Sequence, residues 1–98
     1  MPATDAHLTP EQRRRRTVRR EALAAALVKA RQAAGLTQTE LAEAADMSRS
    51  AVARLEAGTA SIGSDRLWDL AIALGMRPSA LFAAAEADAE ARDTLDGV

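Results

Sequence analysis

Ninety-eight residues, 48% hydrophobic and 28% charged, suit one compact domain with short appendages rather than a multidomain enzyme. Cysteine is absent and His7 is the one histidine, which excludes a disulfide framework, a thiolate metal site and a histidine-anchored one, so no metal or cofactor is expected and the cytoplasm is the expected compartment. The net charge of −1 hides a polarity: Glu11 to Leu36 holds eight basic residues against two acids, +6, while Ala83 to Val98 holds five acids against Arg92, −4, as suits a protein with one face toward phosphate and another away from it.

The apolar content is Ala and Leu with two aromatics, Trp68 and Phe82, and almost no β-branched runs, which predicts an all-α fold. No stretch reaches eighteen continuous apolar residues, and no apolar signal segment follows the basic run, so neither a membrane span nor secretion is expected. Met1 to Leu8 carry no periodic pattern and are expected to be disordered. Thr9 then offers an N-cap, Pro10 a first helical position and Gln12 a third. The helix they open runs through the arginines, with Leu23, Leu27, Ala30 and Ala34 as its apolar stripe and Gly35 as its stop.

Thr37 and Glu40 form a capping box between the staple residues Leu36 and Leu41, so a second helix begins at Gln38 and buries Leu41, Ala42 and Ala45. Asp46, Met47 and Ser48 make a tight turn, and Ser48 caps a third helix from Arg49 to Glu56. Gly58 and Thr59 to Gly63 form a loop, after which Ser64 is expected to cap a fourth helix with the stripe Leu67, Leu70, Ala71 and Leu74, stopped by Gly75. Pro78 opens a fifth helix, carrying Leu81 and Phe82, that an alanine-glutamate run extends toward Leu95. Trp68 lies just off the Leu67 stripe, which predicts partial exposure and, with Phe82, core packing or a self-association face.

Two short helices joined by a three-residue turn and flanked by longer ones can present the second helix to a major groove. On the third helix Ala51, Val52 and Leu55 face the core, leaving Arg49, Ser50, Ala53 and Arg54 outward as base-reading candidates. Arginine donates twice to guanine, serine bonds to base edges or phosphate, and Ala53 suits a thymine methyl. The carboxylates fall on exposed faces with no catalytic Cys, no Gly-rich phosphate loop and the histidine in the tail, so the chain is not expected to be an enzyme.

The segment LVKARQAAGLTQTELAEAADMSRSAVARLEAG, followed by SDRLWDLAIALGMRPSALF, resembles the lambda-repressor-like, Cro/cI-type helix-turn-helix domain, also called the xenobiotic-response-element family; the likeness covers Leu23 to Phe82. It implies a compact five-helix bundle, base contacts from Arg49, Ser50 and Arg54, a phosphate contact from Gln38 at the start of helix 2, and a structural ion pair between Arg31 and Glu56. Thr37, Ser48, Thr59 and Ser61 complete the expected phosphate-contacting set. The family most often has glycine where Asp46 stands, a turn position that tends to need positive φ. The run Arg13 to Arg16, with Arg19 and Arg20, lies outside the shared domain.

The expected organisation is thus an N-terminal tail and basic helical extension over 1–20, the helix-turn-helix domain over 21–82 and an acidic C-terminal helical tail over 83–98. The leading expectation is a transcriptional repressor that binds double-stranded operator DNA as a homodimer, self-associating through the loop at Met76 to Pro78 or the exposed apolar positions of helix 5. An antitoxin that represses its own operon and holds a toxin, as protein partner, with its C-terminal tail, and a protein-interaction module of the same fold, stand beside it. The arginine run reads equally as a solvated arm and as a grip on phosphate or minor groove.

Overall fold

The computed structural model describes residues 7–96, all of whose regular elements are helical. The helices are α1 (Pro10–Ala33), α2 (Gln38–Ala44), α3 (Arg49–Glu56), α4 (Ser64–Ala73), α5 (Pro78–Glu86) and α6 (Ala89–Asp96). The disorder expected of Met1 to Leu8 lies, for residues 1–6, outside the described residues; Leu8 is half-buried and its carbonyl accepts Arg13 Nη1 at 2.7 Å.

Local chemistry sets most helix ends. Thr9 caps α1 in a full capping box with Gln12, and Thr37 caps α2 in another with Glu40. Ser48 Oγ accepts the Ala51 amide at 3.0 Å to cap α3. After α1 the chain turns at Gly35, φ 74°, while the Leu36 amide donates back to the Arg31 carbonyl at 3.1 Å. The expected Ser64 cap is a correction: Ser64 is the first residue of α4, the N-cap is Gly63, and no side chain caps that end. Ala34, expected on the buried stripe, is exposed, because α1 has already left the core at that point.

The sixth helix is the other difference from the sequence reading. Alanine-rich helix propensity carries the chain to Glu86 but not past Asp88, whose Oδ1 accepts the Glu90 amide at 3.3 Å as a new helix starts. Arg92 reaches back to the carbonyls of Glu86 and Ala87 at 3.2 and 2.9 Å, satisfying the open C-terminus of α5. The break turns α6 so that Ala91 and Thr94 are buried against α1.

The core has three parts. Leu27, Leu41, Ala42, Ala45, Val52, Leu55 and Leu70 join α1 to α4 beneath α2 and α3, while Leu67, Ala71 and Leu81 lock α4 to α5. Val18, Ala22 and Ala26 on α1 meet Ala85 and Ala91, with small residues that let helices approach closely. Arg19 clamps this last part, its Nε and Nη2 donating to the Thr94 hydroxyl and carbonyl at 2.8 and 2.9 Å, while Arg20 Nε ties α1 to the turn after α3 by donating to the Gly58 carbonyl at 3.0 Å. Gly58 has φ 73°, and a Cβ there would stand 3.3 Å from Glu21 Cγ, so the turn after α3 needs glycine for its backbone and for its approach to α1. No single helix among the described residues is long and apolar enough to cross a membrane.

Candidate nucleic-acid interface

The site is built on α3, whose orientation is fixed from both sides. Val52 and Leu55 are buried and Ala51 is half-buried, which anchors one face in the core. The opposite face carries Arg49, Ser50 and Arg54, all exposed, with Ala53 half-buried between them. The turn before α3 holds Asp46 at φ 56°, the left-handed conformation in which asparagine and aspartate are tolerated better than most residues. Arg66 Nη1 donates to the Asp46 carbonyl at 3.1 Å, tying that turn to α4.

The end of α3 is held by charge. Arg31 Nε and Nη2 donate to the two carboxylate oxygens of Glu56 at 2.7 and 3.1 Å, a bidentate pair whose side chains are only 15% and 4% exposed. The hydrogen bond to Glu56 raises the Arg31 pKa above its ordinary value, against the opposing effect of burial. Arg31 Nη1 also donates to the Leu36 carbonyl at 2.8 Å, and Gln38 Nε2 donates to Glu56 Oε1 at 3.0 Å. One carboxylate thus gathers α1, the start of α2 and the end of α3. Gln38 was expected at the phosphate edge; the structure adds an internal role that sequence spacing gave no means of seeing.

The remaining expected residues surround α3. Thr37 and Ser48 are exposed, and their hydroxyl oxygens accept the cap hydrogen bonds from Glu40 and Ala51, so each hydroxyl hydrogen faces outward chemistry as a donor. Thr59 is also exposed, but its hydroxyl donates to the Arg54 carbonyl at 3.2 Å; a phosphate, which only accepts, would have to draw that hydrogen away. Ser61 is exposed in the loop between α3 and α4 and borders a groove of about 350 Å³ with Arg19, Arg20, Ile62, Phe82 and Leu95.

The arrangement offers a row of donors around α3: two guanidinium groups on its outward face and the hydroxyls at the starts of α2 and α3. Such a row matches an acceptor-rich surface, and its spacing on one short helix matches a groove that admits a helix. Among the described residues no cluster of acids and histidine fit to hold a metal ion is present. Sequence reasoning missed Arg19, Arg20 and Arg66 as clamps, because their partners Thr94, Gly58 and Asp46 are backbone or side-chain groups 75, 38 and 20 residues away.

A helix-turn-helix family model matches residues 27–81 of the chain. Two crystal structures of the clp gene regulator ClgR from Corynebacterium glutamicum are similar to it. One is 35% identical over 72% of this chain and 92% of that one, with a TM-score of 0.69. The other is 34% identical over 81% of this chain and 83% of that one, with a TM-score of 0.70. Among curated proteins nothing matches.

Proposed function

The chain belongs to the helix-turn-helix family of DNA-binding transcriptional regulators, and on that premise we propose that it is a repressor that reads a palindromic operator as a homodimer. Arg49, Ser50, Ala53 and Arg54 read base edges; Thr37, Gln38, Ser48, Thr59 and Ser61 set the register on the flanking phosphates. The observation that carries this reading is the outward face of α3, where exposed Arg49, Ser50 and Arg54 stand opposite the buried Val52 and Leu55. Each arginine that meets guanine O6 and N7 contributes roughly 1–3 kcal/mol of discrimination.

Dimerisation follows from reach. A helix of eight residues touches few base pairs, so sequence selectivity requires two half-sites about one helical turn apart. Trp68 and Ile72, four residues apart on α4 and 60% and 68% exposed, form an apolar stripe suited to a second copy. Of the other expected surfaces, α5 carries Phe82, which is 48% exposed. A dimer seated on its operator acts by occupying DNA that the transcription machinery needs, in the cytoplasm and on the nucleoid.

Selection of bound duplexes from a random DNA pool at about 0.15 M salt tests the reading. Enrichment of a motif with two symmetric halves centred about ten base pairs apart is expected. A folded, soluble protein that enriches nothing overturns it and leaves an interaction module of the same fold.

A further inference from the structure

The arginine-rich start of α1 has two flanks with different neighbours. Glu11, Arg14 and Arg15 border α6, where Glu90, Asp93 and Thr94 stand against them. Arg14 and Arg15 pair with Glu11 at 3.0 and 3.4 Å, and the bond to Glu11 raises the Arg14 pKa while Glu90 adds a weaker push in the same direction. Acids of the chain thus stand beside Arg14 and Arg15. Arg13, Arg16, Thr17 and Arg20 follow each other at i, i+3, i+4 and i+7 and so share another flank.

Arg20 shows where this second flank lies. Its Nε is fixed on the Gly58 carbonyl and its Nη2 lies 3.5 Å from the Thr17 hydroxyl, so the flank continues outward from the loop that carries Thr59 and Ser61. From Arg20 back to Arg13 the helix rises about 10 Å, about three base-pair steps measured along a duplex axis.

We propose that Arg13, Arg16 and Arg20 form a second DNA-backbone contact, which follows the phosphates beyond the half-site read by α3. The proposal rests on the operator-binding reading above and adds to it a grip on flanking DNA of any sequence. Arg20 is positioned by Gly58, Arg16 is exposed one turn away, and Arg13 bends to Leu8 at the outer end. Guanidinium groups suit the task because they hold their charge and present several donors to one phosphate.

The test uses the full chain and two duplexes: the selected operator alone, and the operator with about five added base pairs of arbitrary sequence on each side. Affinity is measured between 50 and 200 mM salt for the parent, for Arg13→Gln/Arg16→Gln, for Arg13→Lys/Arg16→Lys, and for Arg14→Gln/Arg15→Gln, with helix content checked by circular dichroism. The parent is expected to bind the longer duplex more tightly and with a steeper salt dependence. The Arg13→Gln/Arg16→Gln variant loses that gain, its salt slope falls by about 2, and its deficit against the parent shrinks roughly tenfold across the salt range. The lysine pair keeps most of the gain, and Arg14→Gln/Arg15→Gln, which removes the same charge from the α6 flank, keeps it too. A parent indifferent to the added base pairs, or equal losses from the two glutamine pairs, overturns the second contact while leaving operator reading intact. Failure of any motif to emerge from selection overturns both.

Discussion

Glu56, at the end of α3, receives three hydrogen bonds from two other segments of the chain, two from Arg31 and one from Gln38. Glu56→Ala leaves the Arg31 charge without its partner in a site where it is only 15% exposed, and stability is expected to fall by about 3 kcal/mol, read from chemical unfolding. An unchanged midpoint would mean that water replaces the carboxylate without loss. Asp46 sits at φ 56° and contributes its backbone carbonyl to Arg66, so Asp46→Gly keeps the bond and removes the left-handed cost. A gain of about 1 kcal/mol, roughly 5 °C in Tm, is expected, and a loss would show that the Asp46 side chain holds the turn. Features of this kind divide sharply in legibility. The caps at Thr9, Thr37 and Ser48 are written in the sequence because cap and amide lie three residues apart. The Gln38 bond is not, since it spans 18 residues and depends on how α2 meets α3.

At the scale of elements, the proposed function assigns different work to α3 and to the start of α2. Arg49→Ala and Arg54→Ala are expected to relax preference at particular base pairs, whereas Gln38→Ala weakens binding to all sequences alike, as selection with each variant reads out. Uniform loss from Arg49→Ala would place that side chain on phosphate instead. Because Gln38 also donates to Glu56, its replacement adds a small loss of stability that the arginine variants lack. The helix order from α1 to the start of α5 was legible because nearly every boundary has a capping residue, a glycine or a proline, the end of α2 at Asp46 being the exception, and each helix has an apolar stripe. The division of the last helix was not. An alanine-rich run favours one long helix by propensity, and the outcome is decided by Asp88, by Arg92 folding back on α5, and by the burial of Ala91 and Thr94 on α1. The last of these depends on a helix some 70 residues earlier.

For the molecule as a whole, the proposed dimer is tested at the exposed stripe of α4. Trp68→Glu places a charge in the exposed stripe of α4 while leaving Leu67, Leu70 and Ala71 buried, so the fold is kept and the dimer is expected to dissociate. Sedimentation at micromolar concentration should then give a monomer, with operator affinity reduced at least tenfold; a persistent dimer would move the interface to Phe82 and the groove beside it. The exposure of Trp68 was legible from its offset from the Leu67 stripe. The tertiary placement of the arginine run was not, since composition shows charge but not which flank faces the acidic helix.

The clamp between Arg19 and Thr94 joins residues 75 positions apart, and this imposes an order on biosynthesis. At about 5–20 residues per second, a ribosome takes roughly 4–15 seconds to travel from one to the other. Local helices and their three-residue turn assemble in far less time than that. The helices α1 to α4, which supply the core beneath α3, therefore all precede Thr94 in order of synthesis, and until Thr94 is made the arginines of α1 have no acidic helix beside them.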